Sequence, residues 1–259
     1  MILLQVFYET YRVTDNKKKQ GRGIYLLPNL FTTAGLFAGF YAIVAAIRGD
    51  FELAAVAIFI AMIMDGLDGR IARLTNTQSA FGAEYDSLAD MVSFGLAPAL
   101  VIYQWSLFSL GKAGWLAAFV FAACGALRLA RFNTQIGNVD KRYFQGLPSP
   151  AAGASLAGCV WVGTTYDIDP STWNWFVLLL TIVCGVLMVS TFRYHSFKDF
   201  DFHGKVPFVV ILLIVLIFAL ISIDPPLILF SVFLLYTLSG PIFTLVKLKQ
   251  HRSGRGQSK

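Results

Sequence analysis

The sequence predicts an all-α polytopic membrane protein with about eight transmembrane helices and both termini cytoplasmic. Three observations lead there. Of the 259 residues, 56% are hydrophobic and only 14% charged, with a mean hydropathy of +0.64; soluble domains run at about 45–50% apolar and about 25% charged. Apolar stretches long enough to cross a hydrocarbon core about 30 Å thick recur along the chain. Lys and Arg fall almost wholly on alternate connections, and this sets orientation. The same composition excludes disorder, collagen-like repeats and disulfide-rich secreted scaffolds.

Residues 1–27 read as a cytoplasmic or interfacial segment. Met1–Tyr11 is short and apolar but carries Glu9, and no small-residue cleavage pattern comes after it, so a signal peptide does not fit. A helix lying on the membrane does. Lys17, Lys18, Lys19 and Arg22 come next, then Pro28 at a helix start. The predicted spans are 28–47, 51–70, 87–105, 113–131, 148–166, 173–192, 206–223 and 226–246. Runs such as Val206–Ile223 are continuously apolar, which excludes the period-2 alternation of a membrane barrel, and open sheets cannot cross lipid at all. Asp224-Pro225-Pro226 is read as a tight turn. Residues 28–247 thus form a single transmembrane domain. Residues 248–259 form a cytoplasmic tail, polar and frayed from His251 onward.

With the N-terminus inside, 19 of the 21 Lys and Arg residues lie on the inner side, and only Arg48 and Lys112 lie outside. Topology and anionic lipid headgroups account for the net charge of +6, so no nucleic-acid partner is needed. Cys124, Cys159 and Cys184 fall within spans, lack metal-ligand spacing, and read as small packing residues.

Carboxylates at a membrane are costly and usually functional. Asp65, Asp68, Asp86 and Asp90 gather at the inner end of span 2 and the start of span 3. Asp65 and Asp68 are three apart, and Asp86 and Asp90 four apart, so each pair shares a helix face. The short Leu74–Gly82 connection brings the two helix ends together. Four converging carboxylates repel one another strongly unless cations intervene. Hard divalent ions with oxygen ligands (Mg²⁺ or Mn²⁺, with Ca²⁺ as an alternative occupant) suit them, and the lack of nearby His or Cys argues against zinc. Gly66 and Gly69 leave the backbone bare for a bulky ligand, and Arg73 can pair with a phosphate. The set suits a pyrophosphate-bearing substrate.

The stretch from Asp65 to Asp90 reads D-x2-D-G-x2-A-R-x8-G-x3-D-x3-D without departure, and it resembles the signature of the CDP-alcohol phosphatidyltransferases. The resemblance implies a catalytic 28–247 domain that displaces CMP from a CDP-linked lipid with an alcohol, at a dinuclear metal site on the cytoplasmic membrane surface. It implies that Asp65, Asp68 and Asp86 bind metal, that Asp90 is a ligand or the base, and that Gly69 and Arg73 contact the CDP moiety. Ala72 and Gly82 belong to the same motif, and Asn29 and Thr32, at the start of span 1 on the same side, are candidates to join them. A homodimer is implied as well. Gly35 and Gly39 have the G-x3-G spacing that serves either helix dimers or packing within one chain.

The acceptor must be read from flanking segments. Leu127-Arg128-Leu-Ala-Arg131-Phe132-Asn133 and Phe144-Gln-Gly146-Leu-Pro148-Ser149-Pro150-Ala are similar to sequences of the phosphatidylserine synthase branch, with CDP-diacylglycerol as donor and L-serine as acceptor. Lys198-Asp-Phe-Asp-Phe202 also stands out. Arg128 and Arg131 are three apart on one face; a guanidinium fork suits the carboxylate of serine, although the same arginines could anchor lipid phosphates. Asn133 and Ser149 contact the acceptor or cap helix ends. Glycerol 3-phosphate, inositol phosphate, choline or a second lipid are the competing acceptors. From a different class, a cation transporter would place its acids near mid-membrane on interrupted helices, whereas these cluster at one surface.

Overall fold

The computed structural model of the chain describes residues 26–134, 143–195 and 208–256. The Met1–Tyr11 segment and the Lys198–Phe202 stretch lie outside these residues. The described part is helical: α1 (Leu26–Arg48), α2 (Phe51–Leu74), α3 (Ala80–Asp90), α4 (Ala97–Trp105), α5 (Lys112–Thr134), α6 (Ser149–Thr165), α7 (Pro170–Val189), α8 (Phe208–Ile223) and α9 (Pro225–Gly256). A π-helical turn at Met91–Leu96 joins α3 to α4, so that Ala80–Trp105 is one 26-residue helical stretch. Among the described residues, the departure from an all-α reading is a small antiparallel ribbon, β1 (Tyr143–Gln145) against β2 (Arg193–His195), with Tyr143 opposite His195. Five helical stretches are long and apolar enough to cross a membrane: Leu27–Arg48, Ala80–Trp105, Lys112–Thr134, Pro170–Val189 and Pro225–Thr244. The protein is an integral membrane protein.

Helices α1 and α2 form a hairpin, turned at Gly49 with φ +84, a conformation glycine adopts without cost. Their interface is built from alanines: Ala42, Ala45, Ala46, Ala54, Ala55 and Ala57 are all buried. Small side chains let helix backbones approach closely, which is how membrane helices gain packing energy where lipid offers no hydrophobic drive. The G-x3-G pair of α1 works within the chain. A Cβ on Gly39 would lie 2.6 Å from Ser93 Oγ and 2.7 Å from Ser93 Cα, and Ser93 Oγ donates to the Gly35 carbonyl at 3.1 Å. This face of α1 is therefore occupied by the π-turn.

The π-turn has an identifiable cause. Pro98 lacks the amide hydrogen that the Phe94 carbonyl would take in an α-helix, and the helix widens just ahead of it. The connection between α2 and α3 is shorter than the Leu74–Gly82 expected from sequence. Thr75–Ser79 suffices, because Asn76 takes a left-handed conformation (φ 51) after the end of α2, and Ser79 caps α3 by accepting from the Gly82 amide at 3.0 Å. The third span consequently starts at Ala80, not 87, which places Asp86 inside the helix.

At the opposite end, Asp169 caps α7 with bonds from the Ser171 amide (3.0 Å) and hydroxyl (2.6 Å). These donors hold its carboxyl below the usual carboxylate range. Asp224 is the turn residue foreseen before the two prolines. It accepts from the Leu227 amide at 3.2 Å and from the Tyr166 hydroxyl, tying two connections together. Helix α9 continues to Gly256, beyond the frayed tail expected from His251, since Leu, Lys, Gln and Arg are good helix formers. Helix α8 stands apart, with Val209, Leu216, Phe218 and Ile223 all exposed.

Candidate active site

Asp65 and Asp68 come from the last turns of α2, and Asp86 from α3. One carboxylate oxygen from each lies within 4.8 Å of the other two. Two helix ends separated by a five-residue connection bring them together, as their spacing on each helix requires. Asp68 is buried, 5% exposed, and its Oδ2 accepts from the Thr32 hydroxyl of α1 at 2.7 Å. Asp90 lines the same cleft together with Asp65, Asp68, Asp86, Thr32 and Ser93. Asp90 is not part of the tight triplet. One α-helical turn beyond Asp86, it looks into the cleft from deeper in the bundle.

The donor set fits a divalent cation. Three carboxylates offer hard oxygen ligands from one small volume, and a bound cation relieves their mutual repulsion. The backbone is open at two of the glycines. A Cβ at Gly66 or Gly69 would meet nothing within 4 Å, so no packing contact accounts for glycine at either position. Gly82 differs, because a Cβ there would lie 3.1 Å from the capping Ser79 Oγ and 3.5 Å from Asn29 Oδ1. This contact also places Asn29 beside α3. Arg73 folds back along α2, its Nε donating to the Gly69 carbonyl at 2.8 Å. Ala72 sits on the same last turns, and its carbonyl accepts from the Thr77 amide at 3.1 Å.

The segment from Arg128 to Asn133 divides into different tasks. Arg128 is 9% exposed; its Nη1 donates to Ser149 Oγ at 2.8 Å, while its buried Nε has no hydrogen-bond partner among the described residues. Asp90 and Asp65 lie within electrostatic reach of its guanidinium. Arg131, by contrast, donates to three backbone carbonyls: Val189 (3.1 Å), Gln145 (3.0 Å) and Ser190 (3.3 Å). It straps the C-terminal end of α7 to the ribbon. Asn133 donates to Ser87 Oγ at 3.1 Å, bracing α5 against α3 next to Asp86. Gly146, at φ +80, turns the chain from β1 into α6, where a Cβ would lie 2.3 Å from the Met188 carbonyl oxygen.

Sequence reasoning did not find Ser87, Thr33, Tyr85, Tyr194 or Tyr236. The Thr33 and Tyr85 hydroxyls are 2.9 Å apart and bridge α1 to α3. Tyr194 is buried, with its hydroxyl on the Thr237 carbonyl at 2.9 Å. A proline within the last span, Pro241, was the available signal for the last pair.

A helical membrane protein whose acids meet in one cleft at the ends of adjacent helices, with open glycine backbone on one of them, belongs with enzymes that handle phosphate-linked lipids. The chain is a member of the CDP-alcohol phosphatidyltransferase family, whose profile matches residues 25–187. It is 39% identical over 229 residues to a CDP-diacylglycerol–serine O-phosphatidyltransferase of Helicobacter pylori, covering 87% of this chain and 94% of that one. Proteins of the same name from Methanocaldococcus jannaschii and Bacillus subtilis are 36% and 34% identical over 178 and 174 residues. Those matches cover 69% and 66% of this chain, and 78% and 91% of the relatives.

Proposed function

We propose that this protein transfers a phosphatidyl group from CDP-diacylglycerol to L-serine, giving phosphatidylserine and CMP. The observation that carries the reading is the convergence of Asp65, Asp68 and Asp86 within 4.8 Å beneath open glycine backbone, in a chain of this family. The Arg128–Asn133 and Phe144–Ala151 segments, together with the names of the relatives, favour serine over other acceptors.

Asp65, Asp68 and Asp86 would hold Mg²⁺ or Mn²⁺, with Asp90 at the margin of that set. When bound, the metal would supply positive charge to the pyrophosphate and the departing CMP. Thr32 fixes the Asp68 carboxylate through its hydroxyl. Gly66 and Gly69 give the CDP moiety access to the α2 backbone, with Ala72, Arg73, Gly82 and Asn29 around it. Asp90 accepts the proton of the serine hydroxyl as the oxygen bonds to phosphorus and the bond to CMP breaks; the proton then passes to solvent. Arg128, already bonded to Ser149, has an unsatisfied buried N–H with which to meet the serine carboxylate. Arg131 and Asn133 position Arg128 by holding the end of α5.

The cleft belongs on the cytoplasmic face of the inner membrane. There serine and CMP exchange with the cytosol while the acyl chains stay in the bilayer. Eight spans with both termini cytoplasmic, and a homodimer, complete the reading. The test is purified protein with CDP-diacylglycerol, Mg²⁺ or Mn²⁺ and a panel of alcohols, with CMP release measured. Release specific to L-serine is expected. Release with glycerol 3-phosphate or inositol phosphate in preference to serine would overturn the acceptor assignment.

A further inference from the structure

The family profile ends at residue 187, yet the C-terminal third of the chain packs against α6, the helix whose Ser149 holds Arg128. Helix α9 packs along α6, and Thr237 Oγ1 is 3.0 Å from Ser155 Oγ. Pro241 has no amide hydrogen, so the Thr237 carbonyl, four residues earlier, loses its helical donor. The Tyr194 hydroxyl of the ribbon replaces it at 2.9 Å. Gly240 makes room for the ring: a Cβ there would lie 2.3 Å from Tyr194 Cζ. The neighbouring side chain on α9, Tyr236, packs against Tyr194 with ring centroids 5.5 Å apart. The Tyr236 phenol in turn lies within electrostatic reach of Arg128. A ribbon residue therefore sets the height and rotation of α9 where that helix approaches the buried guanidinium. A buried guanidinium N–H with no partner among the described residues marks this place as one that a polar ligand completes.

We propose that Tyr236 is an acceptor-specificity residue and that Tyr194 positions it. On this view α9 and the ribbon supply the surroundings of Arg128 that select the alcohol, while residues before 187 carry the chemistry shared with the CDP-linked donor. The inference rests on the serine reading above. A phenol beside a guanidinium offers a second polar contact to a small amino acid, whose carboxylate and amine must both be satisfied once desolvated.

The experiment measures KM for L-serine and for CDP-diacylglycerol, with kcat, in full-length wild type, Tyr236→Phe and Tyr194→Phe. Loss of one hydrogen-bonding hydroxyl should raise the serine KM about five- to tenfold in Tyr236→Phe, leaving the donor KM within about twofold. Tyr194→Phe should shift the serine KM in the same direction by less. A serine KM unchanged in both variants overturns the inference, as does a parallel rise in both KM values, which denotes general loosening of the fold. Thermal unfolding in detergent identifies a variant that is merely unfolded, and Tyr236→His, which restores a polar group, should then recover part of the serine affinity; no recovery overturns the proposal. Wild type that releases no CMP with serine overturns the serine reading itself, and this inference with it.

Discussion

Gly69 separates a requirement of folding from a requirement of function. Nothing lies within 4 Å of an added Cβ, and alanine is favoured over glycine inside a helix by about 1 kcal/mol. Gly69→Ala should therefore unfold at the same or a higher temperature in detergent while its KM for CDP-diacylglycerol rises severalfold. An unchanged KM would remove the glycine from the donor site. Asp90→Asn tests the base. Transfer should fall by about 10²–10⁴-fold while CDP-diacylglycerol binding, read by equilibrium dialysis, survives; turnover like the wild type's would discard the assignment. At this scale the acids were legible because three- and four-residue spacing is itself geometry. Ser87 and Asn133, 46 residues apart, were not, because no local pattern states which distant hydroxyl an amide will meet.

Among the elements, the closest approach is that of α1 to the π-turn. Gly39→Ala would drive a methyl group to 2.7 Å from Ser93 Cα. Since that neighbour is backbone, the helices must separate, at about 1–3 kcal/mol. A lower unfolding temperature is expected, and removing the serine hydroxyl with Ser93→Ala should not restore it. The cap of α7 responds to pH. The Asp169 carboxyl titrates lower in the folded state than in the unfolded one. Its contribution to stability is thus present above the usual carboxylate range and lost as pH falls through the folded value. The sequence announced most helices through continuous apolarity. It did not announce the π-turn or the ribbon, whose strands of three residues are too short to show a period. The start of α3 was misplaced for a related reason: Ser79–Asp90 is polar enough to resemble a loop, and only the Ser79 cap marks it as helix.

For the whole molecule, topology and metal make the predictions. Single cysteines at Asp50, Lys112 and Asp167 should react with impermeant reagent from one side of the membrane, and cysteines at Asn76 and Thr134 from the other. Labelling of both sets from the same side would refute the topology. Chelation should abolish CMP release, and Mg²⁺ or Mn²⁺ should restore it where Zn²⁺ does not. Overall architecture was readable because the bilayer imposes one rule on every span, whereas the bundle's internal arrangement depends on side-chain contacts that hydropathy does not encode.

Helix α8 carries a consequence of its own. With α8 as the seventh of the eight spans proposed above, its exposed residues Val209, Leu212, Val215, Leu216, Phe218 and Leu220 would touch hydrocarbon where other helices touch neighbours. Shape matters little against a fluid surrounding, so Leu, Ile, Val and Phe should interchange freely along it. A single Asp or Lys at its middle should instead hinder insertion by about 2.5–3.5 kcal/mol. Drift in this stretch is governed by oiliness alone, and a library randomised there should recover nearly every greasy combination.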